Sequence, residues 1–203
     1  MRADARKNHD HLLTVAGAVV TEQGVDASLR DIARRAGVGL ATLIRHFPTR
    51  EALLEALLRT SFDELAETAA ALAASDAPDD ALLSWLRDFV ACAHNYRGVV
   101  ALMTTAIEDE ESALHASCVT MRAAGTRLLT RAQAEGRART DLDGTDLFAL
   151  GASLAWLSDQ PALAPRAGHL FDVVASAILT TTAGGGPVFP GAEHTAAPTS
   201  PME

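Results

Sequence analysis

The chain has 203 residues, 48% of them hydrophobic and only 4% aromatic. That apolar supply is enough for a buried core and excludes wholesale disorder, while the scarcity of Tyr, Trp and Phe argues against an aromatic-rich sandwich or barrel. The net charge of −9 argues against a nucleic-acid partner only until it is divided: residues 1–50 carry eight basic and five acidic groups, a net of +3, and the other nine basic and 21 acidic groups leave −12 on residues 51–203.

Helical periodicity runs through nearly the whole chain, and no window alternates as a strand does. Residues 10–23 place Leu12, Leu13, Ala16, Val19 and Val20 on one face, and Gly24 suits the position beyond a helix C-terminus. Ser28 is read as the cap of a second, two-turn helix, with Asp31 as the far member of a short capping box. Leu29, Ile32, Ala33 and Ala36 are its stripe, and Gly37 breaks it. A third helix from about 39 to 46 turns Leu43 and Phe47 inward and stops before Pro48. Thr49 caps a long fourth helix reaching about residue 74, and Ser75-Asp76-Ala77-Pro78 makes the next turn. Further helices are predicted at about 78–95, 98–107, 110–135, 144–158 and 166–181. From 183 onward a Gly, Pro, Thr and Ala-rich composition predicts a disordered tail.

Residues 28–47 are two short amphipathic helices joined by a tight turn at Gly37. This is helix-turn-helix spacing. Ile32, Ala33, Val38, Leu43 and Phe47 pack the pair, which leaves Leu40, Ala41, Thr42, Arg45 and His46 outward and small enough for a major groove. An ordinary helical hairpin has the same outline, but Arg30, Arg34, Arg35, Arg45 and Arg50 favour DNA. A basic head on an acidic body fits one part that meets a polyanion and another that must not.

The stretch from Leu12 to Leu58 resembles the DNA-binding domain of the TetR family of bacterial repressors. The resemblance is carried by Ala18–Gly24, by Leu29–Val38 and by Ala41–Leu54. It implies that Arg30 reaches a guanine edge, that the methyls of Leu40, Ala41 and Thr42 meet thymine, and that Arg45 and His46 form the polar end of the recognition helix. It also implies that Arg50 and the N–H groups after Thr49 hold a phosphate. Two positions depart from the family: Ile44 stands where a tyrosine usually reaches the backbone, and Gly39 replaces a Ser/Thr-type cap. Their contacts are expected to pass to Arg45 and to the leader Arg2, Arg6 and Lys7.

Trp85, Phe89, Cys92 and Tyr96 recur along one face of the fifth helix, which by periodicity alone reads as core. The resemblance shifts them toward an apolar effector cavity, with Phe62, Met103, Met121, Leu128 and Trp156 as partners. The two final helices read as the dimer interface, through Leu147, Leu150, Gly151 and Leu154 and through Leu170, Val174, Ala177 and Ile178. Cys92, His94, His115 and Cys118 invite a zinc reading, but core cysteines and polar-edge histidines are the plainer one, so no metal is expected. No cofactor or nucleophile motif is present, which argues against an enzyme.

The expectation is an all-α chain of about nine helices: a helix-turn-helix head at 1–50, an effector-binding and dimerisation body at 51–182, and the tail at 183–203. Two cysteines without a disulfide framework, no apolar run near the ~20 residues of a membrane span, and no secretory segment point to a cytoplasmic protein without membrane contact. The function expected is a homodimeric repressor of a pseudo-palindromic double-stranded operator, released by a small apolar effector. A TetR-like binder without an effector is the first alternative, and an all-helical enzyme or carrier is the second.

Overall fold

A computed structural model describes residues 2–96, 110, 112 and 114–180. These residues form eight α-helices: α1 Arg2–Gln23, α2 Leu29–Arg35, α3 Leu40–His46, α4 Arg50–Leu72, α5 Pro78–Asn95, α6 His115–Ala134, α7 Gly144–Asp159 and α8 Ala167–Ile178. A 3-10 turn, Ala164–Arg166, precedes α8. Among the described residues there is no strand, only one isolated antiparallel bridge between Ala138 and Leu179. The fold is all-α with an N-terminal helix-turn-helix head, as the periodicity predicts.

The helix ends show which local signals hold. Thr49 caps α4, its hydroxyl accepting from the Ala52 N–H at 3.0 Å. The capping box predicted for α2 does not form: Ser28 makes no side-chain cap bond. Asp31 instead accepts from Gln23 at 3.1 Å and pairs with Arg34 and Arg35. Charge-assisted bonds to guanidinium are the stronger option for that carboxylate. The box that does form is at α7, where Asp143 accepts from the Thr145 and Asp146 N–H groups and Asp146 returns a bond to the Asp143 N–H. Helix α1 begins eight residues earlier than the apolar stripe suggests, in a segment where only the propensity of Ala, Arg and Lys supports it. Residues 110, 112 and 114 lie outside any helix, so α6 starts later than predicted. Helix α8 stops at Ile178 because the chain turns to the bridge: the Arg139 N–H donates to the Ile178 carbonyl at 3.0 Å and the Thr180 N–H to the Arg137 carbonyl at 2.9 Å. The helix predicted at 98–107 and the tail at 183–203 lie outside the described residues.

Two apolar cores are joined through α4. In the head, Leu12, Ala16, Val19 and Val20 of α1 meet Ile32, Ala33, Leu43 and Phe47, closed by Leu53, Leu54 and Leu57 of α4. The head core therefore extends past residue 50 into the first two turns of α4. In the body, Leu58, Phe62 and Leu65 of the same helix meet Trp85, Phe89, Cys118, Met121 and Leu128. Helix α4 packs on α6, and α5 on α7. Tyr96 packs against both cores.

Two close approaches fix the middle of the body. Trp85 stacks on Phe89 with centroids 5.8 Å apart, and its indole N–H donates to the Leu65 carbonyl at 3.0 Å. The indole lies against Gly125, where a Cβ would fall 2.5 Å from its Cζ3. Phe89 lies against Gly151, where a Cβ would fall 2.5 Å from two ring carbons. Neither site has room for any side chain.

Candidate nucleic-acid interface and effector clefts

The turn between α2 and α3 is built on Gly37, whose φ of 69° lies in the left-handed region. Its N–H donates to the Arg34 carbonyl at 3.2 Å, and the Val38 N–H donates to the Ala33 carbonyl at 3.0 Å. This doubly bonded C-terminal cap ends α2 and sets the direction of α3. Leu43 is fully buried on the inner face of α3. Ala41, Ile44 and Arg45 are exposed on the outer face, with Leu40, Thr42 and His46 half-buried. Ile44, 43% exposed, gives this face an apolar centre where a hydroxyl was expected to be missing. Gly39 precedes α3 in extended conformation and offers no side-chain cap.

The structure divides the five arginines that the sequence groups together. Arg34 and Arg35 are held by Asp31 and Glu22, the Arg35–Glu22 pair at 2.6 Å. The Arg34 guanidinium, joined by Gln23, holds the Asp31 carboxyl below the usual carboxylate range, and the hydrogen bond to Glu22 raises Arg35. Arg50 reaches back to the α1–α2 loop, donating to Asp26 at 3.3 Å and to the Val25 carbonyl at 3.5 Å. Arg30 and Arg45 are exposed and make no ion pair among the described residues. Helix α1 braces this face: Asn8 meets the His46 ring nitrogen at 3.4 Å, and His11 meets the Ala36 carbonyl at 3.2 Å. That bracing was not legible from spacing, because the partners are 38 and 25 residues apart.

The residues grouped as an effector cavity separate into three sets. Phe62, Trp85, Phe89, Met121 and Leu128 are buried in a closed core. Trp156 is 54% exposed on the outer face of α7 and does not join them; beyond Phe89 that helix turns Gly151, Leu154 and Ala155 inward instead. Met103 lies outside the described residues. Cys92 and Tyr96 border open space. A cleft of about 410 Å³ between α1 and α4 is bordered by Leu13, Ala18, Ser61, Glu64 and Tyr96, among others. A second, of about 400 Å³ between α4 and α5, is bordered by Ser61, Glu64, Cys92 and Tyr96. The Ser61 hydroxyl and Tyr96 phenol are hydrogen-bonded at 3.2 Å between the two.

Burial pushes the Cys92 thiol up to about 12 and the Cys118 thiol to about 11, so both are protonated at neutral pH. The zinc candidates do not converge: Cys118 is buried in the body core, and His94 pairs with Asp159 at 2.9 Å. Among the described residues no three His, Cys, Asp or Glu side chains are placed to hold a metal.

The dimer stripe also divides. Leu147, Gly151, Leu154 and Ile178 are buried within the protomer, because α7 and α8 must first cover Phe89 and the body core. Leu150, Leu170 and Val174 are half-buried against that core. Ala177 and Val173, the latter 51% exposed, are exposed on α8, as Trp156 is on α7.

The family model for bacterial regulatory proteins of the tetR family matches residues 12–57. A second, for the C-terminal domain of SbtR-like transcriptional regulators, matches residues 77–178. A crystal structure of a TetR transcriptional regulator from Streptomyces coelicolor is 36% identical over 86% of this chain and 99% of that one, with a TM-score of 0.66. The chain belongs to the TetR family. A TetR regulatory protein from Mycobacterium vanbaalenii is 31% identical, over 88% of this chain and 99% of that one, with a TM-score of 0.62. The ketosteroid transcriptional regulator KstR2 of Mycobacterium tuberculosis shares the fold at 22% identity, over 85% of this chain and 95% of that one, with a TM-score of 0.57. No curated protein matches the chain. This TetR-family member is a DNA-binding transcriptional regulator and not an enzyme. Among the described residues no helix is long and apolar enough to cross a membrane.

Proposed function

We propose that this TetR-family regulator is a cytoplasmic, homodimeric repressor that reads a pseudo-palindromic operator and is released by a small effector. The head, residues 1–50 with the first turns of α4, is the reading unit. Arg30 and Arg45 carry base recognition, the methyl groups of Leu40, Ala41 and Thr42 meet thymine, and the exposed Ile44 adds apolar contact. His46, held by Asn8, and Gly39 shape the ends of the recognition helix. Arg50 and the N-terminus of α4, capped by Thr49, hold a phosphate.

The dimer forms through the outer surface of α7 and α8, with Trp156, Val173 and Ala177 at its centre. Leu150, Leu170 and Val174 back that surface. A bare indole on one of these helices and an exposed valine on the other are the kind of apolar surface that a partner covers.

The observation that carries the release reading is the placement of Tyr96. It packs against both cores and lies between two clefts that separate α4 from α1 on one side and from α5 on the other. A ligand there acts directly on the angle between head and body. Two recognition helices read successive major grooves only about 34–36 Å apart, so a change of that angle costs operator affinity. FadR of Bacillus subtilis, which shares the fold at 15% identity, was crystallised with stearoyl-CoA, a precedent for a small molecule held on this scaffold. A second reading, a DNA binder without effector, draws on the closure of the body core around Trp85 and Phe89.

The test begins with operator selection from genomic DNA. Ala18→Trp is then introduced; Ala18 is exposed and borders the α1–α4 cleft. Filling that cleft is expected to lower operator affinity about 5–150-fold, the range of an ordinary allosteric coupling, at an unchanged thermal midpoint. Parental affinity and parental ligand response in this variant would refute the junction as the control point.

A further inference from the structure

The two clefts beside Tyr96 have one sign of charge. Asp10 on α1 and Glu64 on α4 border the first, and Glu64 again with Asp88 on α5 border the second. No Lys, Arg or His is among the residues described around either cleft. The three carboxylates come from three helices, and none makes an ion pair among the described residues. Five other carboxylates, those of Asp31, Glu22, Asp26, Glu135 and Asp141, each face an arginine instead.

Beside the carboxylates the walls mix apolar side chains with the neutral polar groups of Thr14, Thr60, Ser61, Thr68 and Asn95. Leu13, Ala18 and Leu57 line one cleft, and Leu65, Ala91 and Cys92 the other. The Tyr96 ring stands between, its phenol fixed by Ser61. An aromatic face held in place beside uncompensated carboxylates is the combination that recognises an organic cation: the ring attracts it through its quadrupole and the carboxylates through their charge. Each cleft, at about 400 Å³, is of a size that takes a small molecule.

We infer that the clefts beside Tyr96 bind a compact organic cation with apolar substituents, with Glu64 as its principal counter-charge. The inference rests on the effector reading above and adds the chemical class of the ligand. Glu64 is singled out because it alone of the three acids borders both clefts. An anion of the same shape would meet repulsion from two carboxylates in either cleft, with no cationic side chain among the described residues that line it.

The experiment uses tetraphenylphosphonium and tetraphenylborate, matched in shape and opposite in charge, titrated calorimetrically into the full chain at fixed ionic strength. The phosphonium is expected to bind at least tenfold more tightly than the borate, and more weakly as salt rises. Glu64→Gln should weaken phosphonium binding about fivefold, what Coulomb's law gives two unit charges about 4 Å apart in water. Because Glu64 is exposed, its thermal midpoint should stay at the parental value. Tyr96→Phe should keep binding and Tyr96→Leu should lose it. Equal or tighter borate binding, parental affinity in Glu64→Gln, or no binding of either probe overturns the cationic class. Operator release is measured in parallel. Phosphonium bound at Glu64 without release upholds the cation site and refutes the release reading; release by an uncharged ligand with no phosphonium binding refutes the cation site and upholds release.

Discussion

Substituting Gly125 by Ala tests whether the body core is closed, the finding that moved the candidate effector site away from Trp85 and Phe89. A methyl group at 125 would fall 2.5 Å from Trp85 Cζ3 and closer still to Cη2. The indole has nowhere to retreat. Phe89 is stacked 5.8 Å behind it, Gly151 closes the far side of Phe89, and the indole N–H is bound to the Leu65 carbonyl. In an open helix the same change would stabilise by about 0.8–1.0 kcal/mol through propensity. Forcing a methyl into a filled core costs about 1–3 kcal/mol, and disturbing the indole hydrogen bond adds about 1 kcal/mol. The net expectation is a loss of about 1–3 kcal/mol. For a chain of this length each kcal/mol moves the melting midpoint about 2–4 °C, so the midpoint should fall by several degrees. The control is Gly168→Ala in α8, where a Cβ meets nothing within 4 Å; its midpoint should hold or rise slightly. Both are read by thermal unfolding at one protomer concentration, since assembly shifts the midpoint by mass action. If Gly125→Ala rises alongside Gly168→Ala, there is unfilled space beside Trp85 and the closed-core argument is wrong.

Arg45→Ala is expected to cost about 1–3 kcal/mol of operator affinity, concentrated at one base position in a mutated-operator panel. Arg50→Ala should weaken binding evenly across that panel and reduce the salt slope by about one; even losses from both would refute the division of roles. Trp156→Arg should yield a folded monomer at micromolar concentration by sedimentation, with weaker operator binding. Gly151→Arg, which points its side chain into Phe89, should instead lose helical circular dichroism. A folded monomer from Gly151→Arg would return that residue to the interface. Asp143→Ala should lower the thermal midpoint at pH 7, and Asp143→Asn should lower it less. The Asp146 and Thr145 N–H donors hold the Asp143 carboxyl below its ordinary value. Its contribution is therefore present above the unfolded value of about 3.9 and fades as pH falls through the folded one. A gap between parent and Asp143→Ala that does not narrow as pH is lowered below the unfolded value would contradict this.

The helices were legible because their causes are local. The apolar stripe of α5 runs from Pro78 to Asn95 as predicted, and Thr49 and Gly37 act where their chemistry places them. The head was legible for the same reason: Ile32, Ala33, Leu43 and Phe47 lie within sixteen residues and pack on one another. Ser28 shows the limit of local signals, since its box lost Asp31 to arginines, one of which, Arg35, also pairs across to Glu22 on α1. What no spacing reveals is which of two apolar faces a helix spends on its own protomer. Helix α7 carries Leu147, Gly151 and Leu154 on one side and Trp156 on another, and periodicity gives them equal standing. Only the tertiary structure decides, because Phe89 needs the one surface that lacks a Cβ and so draws Gly151 inward and leaves Trp156 outside. The same holds for the clefts. Asp10, Glu64 and Asp88 are more than twenty residues apart along the chain, and their carboxylates form one field only because α1, α4 and α5 meet at Tyr96.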